Sequence, residues 1–275
     1  MRDLDSFCQS DGGRRSVRTV ECHTALSPSK LPGLDLTLNP YRGCAHDCSY
    51  CYAPFLMRVQ REEWRDAKAK ADLPRLLRKE AEGKRGVIGL STATDPYQPM
   101  ELELGLTRRC LQELVRARAK VSVLTKSDLV TRDIDLLRAL PQAEIGITIT
   151  TMDDRLAKVF EPGAPSPSRR LSALKELSDA GLDTYVLIGP IIPLVTERGL
   201  EEFIRSIAAT GCARAMTDRL RLRQGMLDRI MSRPGARDLG ADFERLCSDE
   251  GHMHEIEGRI VDLCARHGIK VRSAF

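Results

Sequence analysis

Long apolar runs are missing from this chain. None reaches the roughly 18 residues that a membrane-spanning helix needs. The first residues, MRDLDSFCQSDGGRRS, have no apolar centre of the kind a secretory signal carries. A soluble, cytoplasmic protein with no membrane partner is therefore expected. Low-complexity segments and internal repeats are also missing, which argues against a disordered chain or a solenoid. Aromatic residues are scarce at 4 %. Cysteines are not arranged for disulfides. There are nine, an odd number, in a chain of 275 residues that is too large to need covalent staples. Six of them, Cys8, Cys22, Cys110, Cys212, Cys247 and Cys264, are scattered and form no CxxC pair, so no second metal cluster is expected.

Hydrophobic residues make up 42 %, enough for a substantial core, and the formal charge of +4 with a pI near 8.6 permits an anionic partner without requiring one. From LDLTLNP onward, short apolar runs alternate with helical spacing. Residues 87–92, 121–125, 145–151, 185–192 and, more weakly, 219–222 read as strands. Residues 102–118, 130–140, 168–181 and 200–209 read as helices, with Thr131 or Asp128 near the start of the second. Residues 17–23 are compatible with a short strand in an irregular arm. Strands joined by crossover helices imply a parallel sheet. Six units fit an α/β fold built as a partial (β/α)6 barrel better than a closed eight-strand one, with a doubly wound sheet as the competing layout. The expected organisation is an N-terminal arm (1–34), the barrel (35–223) and a helical C-terminal extension (224–275). Both layouts put the reactive groups just after the strands.

NPYRGCAHDCSYCYAP holds three cysteines, Cys44, Cys48 and Cys51, spaced C-x3-C-x2-C. Structural zinc takes four protein ligands, most often as two separated pairs. His46 could be a fourth, but it lies inside the first spacer, where a loop is hard to close round one ion. A [4Fe–4S] cube needs one ligand per iron, so three cysteines leave one iron open to bind something else. A zinc knuckle or a redox-sensing cluster is the competing assignment.

The spacing, with Tyr50 before the last cysteine, resembles the radical S-adenosylmethionine superfamily. NPYRGCAHDCSYCYA, TDPYQPME, LTKSDLVTRDIDLL, FEPGAPSPSRRLSAL and GPIIP, in that order, resemble its spore photoproduct lyase-like branch over roughly residues 36–200. The resemblance implies a radical SAM enzyme. Cys44, Cys48 and Cys51 would hold a [4Fe–4S] cluster, whose open iron is chelated by the methionyl end of S-adenosylmethionine. Reductive cleavage would then give a 5′-deoxyadenosyl radical that abstracts hydrogen from a substrate. A reductant such as flavodoxin or ferredoxin is the implied partner.

Residue by residue, the resemblance implies that Tyr50 and Tyr52 wall the cofactor pocket and that Thr94 bonds the methionyl part. Lys126 would face the carboxylate as a point charge. Thr148 or Thr150 would reach the ribose or amino group, and the carbonyls of Ile188 and Gly189 would lie along the adenine. Asp95 either caps the DPYQP turn or binds the cofactor or substrate. Tyr97 is a candidate for a radical role. Arg169 and Arg170 read as a solvated helix start.

One departure matters. Spore photoproduct lyase carries a hydrogen-donating cysteine after its second strand. Thr92 stands there in this chain, and no cysteine lies between Cys51 and Cys110. A threonine O–H bond is too strong to replace a thiol as hydrogen donor, so a true spore photoproduct lyase is not expected. Cys110 and Cys264 read as core residues, Cys212 as a loop thiol and candidate donor, and His252 and His254 as solvated surface. Arg205, Arg214, Arg219, Arg221, Arg223, Arg229, Arg233 and Arg237 face only Asp218 and Asp228 in the same span, an excess of about six charges. That stretch is compatible with a nucleic-acid partner, although no aromatics are interleaved in it for base stacking. A peptide or protein side chain is the second substrate class and a small metabolite the third. A non-catalytic iron–sulfur or zinc adaptor or sensor is the alternative outside enzymology.

Overall fold

The computed structural model describes residues 18–274. In chain order the elements begin with β1 (Leu26–Pro28), β2 (Leu36–Leu38), β3 (Tyr41–Arg42), α1 (Ala53–Met57), α2 (Arg61–Arg65), β4 (Lys68–Ala69), α3 (Leu73–Glu80) and β5 (Val87–Leu90). They continue with α4 (Glu101–Leu104), α5 (Leu106–Arg116), β6 (Lys120–Thr125), α6 (Ile134–Ala139), β7 (Gln142–Thr148), α7 (Asp154–Phe160), α8 (Pro167–Asp179) and β8 (Asp183–Ile191). The last are α9 (Leu200–Ala208), β9 (Arg214–Arg219), α10 (Met226–Met231), α11 (Asp242–Cys247), α12 (Glu250–Arg266) and β10 (Lys270–Ser273).

One sheet runs β1-β2-β5-β6-β7-β8-β9-β10. Only β1, on the edge, is antiparallel to its neighbour. The six expected parallel strands are β2 and β5 to β9, so the α/β fold follows the alternation in the sequence. The sheet is open, with β1 and β10 at its two ends. β3 and β4 form a separate ribbon beside the cysteine loop.

The strands form because alternate β-branched and leucine side chains turn to a covered face. Ile88, Leu90, Val121, Val123, Ile145, Ile147, Val186 and Ile188 are each no more than 2 % exposed. Each such side chain contributes about 1.5–3 kcal/mol by leaving water. Leu106, Cys110, Leu111 and Leu114 of α5, and Met253, Ile256, Ile260 and Cys264 of α12, cover the sheet at helical spacing. Cys110 and Cys264 are thus the core residues that their spacing indicated.

Several boundaries differ from expectation. The helix expected over 102–118 is broken at Gly105, whose φ of +58 ends α4, and Leu102 is left exposed. The helix expected over 130–140 begins as a 3-10 turn, Asp128–Asp133, capped by Ser127 rather than by Thr131 or Asp128. The fourth parallel strand ends at Thr148, so Thr150 lies beyond it. The sixth is not 219–222 but β9, RAMTDR, in which Ala215 and Thr217 alternate inward. Its polar composition hides the period. The C-terminal extension is helical through α12, then returns as β10, parallel to β9. The expected strand at 17–23 reaches outside the described residues, and within them Thr19 makes only an isolated bridge to Ala69.

A second apolar cluster lies apart from the sheet core. It joins Cys48, Tyr50 and Cys51 to Met226, Ile230, Ala236, Leu239 and Phe243 of the C-terminal extension.

Candidate functional site

The cysteine loop follows β2 and β3, at the carboxyl edge of the parallel strands. Two of its residues have left-handed backbone, Gly43 at φ +83 and Asp47 at φ +50. At Gly43 only glycine fits, because a Cβ would come within 2.4 Å of the Trp64 carbonyl oxygen. The loop is tied down from every side. Cys44 N donates to Trp64 O at 2.8 Å, and Ser49 N to Phe160 O at 2.7 Å. Gln98 brackets the loop start, accepting from Ala45 N at 2.9 Å and donating to Gly43 O at 3.1 Å. Arg61 donates to the carbonyls of Asp47 and Cys48 at 2.8 and 2.9 Å. Asp47 is shared by Arg61 and Arg233, each 2.6 Å from one carboxylate oxygen. Gly163 N donates to His46 O at 3.0 Å, and a Cβ on Gly163 would lie 2.2 Å from Ala45 O. FEPGAP therefore needs its glycine for close approach to the cysteine loop.

Asp95, after β5, links the loop to β6. One carboxylate oxygen accepts from Tyr97 N at 2.9 Å and Thr125 Oγ1 at 2.6 Å. The other accepts from Lys126 N at 2.8 Å and lies 3.4 Å from His46 Nδ1. Burial pushes the carboxyl up, but His46, Thr125 and the Lys126 amide outweigh it and hold its pKa well below the usual range. Asp95 is thus both the turn cap before Pro96 and a brace between two strand ends.

Behind the loop lies a buried polar network. Glu161 and Arg170, each 1 % exposed, form an ion pair at 2.6 Å. The Tyr50 hydroxyl donates to Glu161 Oε1, and Thr150 Oγ1 donates to the same oxygen at 3.2 Å. Arg170 also reaches Pro165 O at 2.8 Å and Thr148 O at 3.2 Å. Lys126 Nζ sits 5.7 Å from the centre of the Tyr50 ring. Burial pushes Glu161 up, but Arg170, Lys126 and the Tyr50 hydroxyl bring its pKa below the ordinary value. Burial pulls Lys126 down, but Cys48 and Glu161 more than reverse this, so its ammonium stays charged. Arg170 is therefore a central buried group, not a solvated helix start. Arg169 is exposed and pairs with Asp128 at 2.6 Å.

The other expected residues divide. Thr94, next to Asp95, has a buried hydroxyl without a partner, as have Ser49 and Ser91. Thr148 is buried at the end of β7 and Ile188 within β8, and the Gly189 carbonyl, 3.1 Å away, shares the single Thr150 hydroxyl proton with Glu161. Tyr52 is 44 % exposed. Tyr97 is 1 % exposed and lies among Asp133, Glu101 and Arg132, apart from the cysteines. Cys212 is buried, with its thiol 3.3 Å from Arg214 O, at the opposite, amino end of β9. His252 is paired with Glu197 at 3.3 Å instead of being free surface. Gln98, Glu161, Asp47, Arg61 and Arg233 were not expected. The first two lie inside TDPYQPME and FEPGAP, so motif membership was the available signal.

The cysteine loop fits the cluster expected from the sequence. Cys44, Cys48 and Cys51 are free thiols on one anchored loop. Burial pushes the Cys48 thiol up to about 12 against the pull of Lys126, and raises Cys44 and Cys51 as well. Among the described residues no three His, Cys, Asp or Glu side chains converge to share one metal ion. An iron–sulfur cube spreads its ligands over separate irons and needs no such convergence.

The arginine stretch is largely neutralised. Arg205 pairs with Glu202, Arg214 with Glu144, Arg219 with Glu250, Arg221 with Asp218 and Arg233 with Asp47. The excess of six charges counted along the chain is thus not a free basic surface, because most of the partners come from other segments. No helix among the described residues is long and apolar enough to cross a membrane.

The Radical SAM superfamily profile matches residues 38–207. An uncharacterised protein of Methanocaldococcus jannaschii is 38 % identical over 177 residues, which cover 63 % of this chain and 67 % of that protein. An uncharacterised protein of Mycobacterium tuberculosis is 31 % identical over 222 residues, covering 74 % and 65 %. The chain thus spans about two thirds of the length of these relatives. A radical SAM Nα-GlyT isomerase of Pseudomonas phage M6 is 25 % identical over 177 residues, covering 62 % and 36 %. Spore photoproduct lyase, in a mutant with bound AdoMet and dinucleoside spore photoproduct, superposes with a TM-score of 0.67 at 16 % identity, over 90 % of this chain and 78 % of that one. SuiB of Streptococcus suis, bound to its precursor peptide SuiA, gives 0.59 at 13 % identity, over 88 % and 50 %. These two likenesses concern the fold.

Proposed function

The chain belongs to the radical SAM superfamily and is an enzyme, and from that premise we propose that it holds a [4Fe–4S] cluster on Cys44, Cys48 and Cys51 and abstracts hydrogen from a nucleic-acid substrate. The observation that carries this is one pre-anchored loop of three free thiols with the charged Lys126 of the β6 end beside Cys48. With S-adenosylmethionine bound, such a cluster supplies a reductively generated 5′-deoxyadenosyl radical.

The protein's own residues hold and shield. Asp95, Gln98 and Arg61 fix the loop. Lys126 provides a point charge for a carboxylate, and Thr94 a hydroxyl for a polar end group. Tyr50 and the apolar residues of the extension close the loop's far side from water. Thr92 cannot return a hydrogen atom as a thiol does, and Cys212 lies at the wrong end of its strand, so the outcome differs from that of spore photoproduct lyase. The nucleic-acid assignment is supported by the motifs shared with that branch and by the dinucleoside in the lyase complex. A peptide substrate is the second reading, favoured by the SuiB–SuiA complex on the same fold and by the ion pairing of most of the arginine stretch.

The test is anaerobic reconstitution with iron and sulfide, then addition of S-adenosylmethionine and dithionite. 5′-Deoxyadenosine from the wild type and none from Cys48→Ala is expected. About one zinc per chain and no product would replace the enzyme with an adaptor or sensor. Cross-linking to peptides but never to oligonucleotides would favour the second reading.

A further inference from the structure

The arginine stretch has no aromatics of its own, but the fold brings two to it. Tyr52 and Phe55 are 44 % and 41 % exposed, immediately after the last cysteine. Phe55 N donates to Tyr52 O at 3.0 Å, so the two side chains stand one helical turn apart on the same side of α1. Leu56 and Met57 beside them are 65 % and 51 % exposed. Contiguous exposed apolar side chains of this kind mark an interaction surface. Arg229, on α10, lies over the Phe55 ring with its guanidinium carbon 5.4 Å from the ring centre. Arg221 and Asp218, a pair at 3.0 Å, lie near Tyr52.

The charge around these rings is unbalanced. Arg61, Arg229 and Arg233 surround one carboxylate, Asp47, and the other two already occupy both of its oxygens. Arg229 is half-buried, and its Nε and Nη2 are shielded from solvent without an acceptor. Arg58, exposed at the end of α1, adds another positive charge. The surface therefore combines open rings with cations in search of an anion, beside the cysteine where the chemistry is placed.

We propose that Tyr52, Phe55 and Arg229 form a docking surface for single-stranded nucleic acid, with bases on the rings and a phosphate at the guanidinium. This rests on the nucleic-acid reading above and specifies where and in what form the substrate is held. Rings that stack on bases are sequence-tolerant and need unpaired bases. A reaction on a base also requires that base to leave its duplex stack.

The test is fluorescence anisotropy of the full chain with labelled single-stranded DNA of about 12 nucleotides, and with the matching duplex, between about 50 and 200 mM salt. The single strand should bind more tightly than the duplex. Phe55→Leu keeps apolar bulk but removes the π-face, and should weaken single-strand binding roughly 5- to 150-fold, while Phe55→Trp should restore it. Arg229→Gln should reduce the slope of log affinity against log salt by about 0.7, the share of one phosphate on a single strand. Arg205→Gln, on α9 and paired with Glu202, should change neither. Tight binding by the wild type that Phe55→Leu and Arg229→Gln leave intact would overturn this surface and leave a nucleic-acid substrate standing. No binding even at the lowest salt would remove both. Unchanged DNA binding with lost reduction by flavodoxin would assign the surface to an acidic redox protein instead.

Discussion

Glu161→Gln tests the buried network most directly. Glu161 and Arg170 are paired at 2.6 Å with 1 % exposure each. Removing one partner of a buried pair costs about 3–5 kcal/mol, because the other charge is stranded. Glutamine keeps the volume and still accepts from Tyr50 and Thr150, and Arg170 keeps the carbonyls of Pro165 and Thr148. The low end, about 3 kcal/mol, is therefore expected. At roughly 2–4 °C per kcal/mol for a chain of this size, the melting temperature should fall about 6–12 °C. Urea unfolding of the full apo-chain measures the same loss as a shift in midpoint at constant slope. Arg170→Met in the Glu161→Gln background should recover part of it, so the double mutant should be clearly less destabilised than the sum of the singles.

The pH dependence has a definite sign. Glu161 has a folded pKa below the ordinary glutamate value of about 4.5. The stability it contributes is full above that value and disappears as pH falls through the lower, folded one. The gap between wild type and Glu161→Gln should accordingly close on acidification below about 4.5 and not on alkalinisation. A loss under about 1 kcal/mol, with additive single mutants, would refute the buried pair as the brace behind Tyr50.

Three further outcomes follow from the same geometry. Gly163→Ala should lower the iron retained after reconstitution, measured per chain, since its Cβ would come 2.2 Å from the Ala45 carbonyl oxygen. Asp95→Asn replaces one acceptor oxygen by a donor and should cost about 1.5–3 kcal/mol in unfolding free energy; an unchanged midpoint would mean that the four contacts are not made together. Cys212→Ser should leave 5′-deoxyadenosine formation and substrate turnover at wild-type levels, because the thiol lies at the amino end of β9.

Much of the scaffold was legible because apolar strand runs carry their own period. VSVLT and YVLIGPII each became a parallel strand, and the cysteine spacing pointed to an open cluster. RAMTDR was not legible as a strand, because inward Ala215 and Thr217 do not differ enough in polarity from their neighbours. The break at Gly105 was missed for a related reason: apolar spacing continues across it, and only a positive φ stops the helix. Of the site, the cysteines could be named from their spacing, and Lys126 and Thr94 from the family resemblance. For Gln98, Glu161 and Arg170 only motif membership was visible, because their roles depend on contacts between segments 50 to 120 residues apart in sequence. The arginine stretch misled for the same reason. Charge was countable along the chain, but Glu144, Glu250 and Asp47 cancel it only in space.

The division into barrel and extension also changes meaning once the loop's anchors are traced. Asp47 holds its left-handed backbone between Arg61, from the loop's own side, and Arg233, from beyond residue 224. Cys48, Tyr50 and Cys51 share an apolar cluster with Met226, Ile230 and Phe243. A loop with two left-handed residues and three thiols gains little from propensity, so its shape rests on what presses against it. Residues 224–247 are therefore a wall of the cysteine site. A chain cut before Met226 would keep all three cysteines and every strand from β1 to β9. It should nonetheless lose iron faster than the intact protein under chelator challenge, while Arg233→Lys, which keeps the charge but not the fork on Asp47, should fall between them.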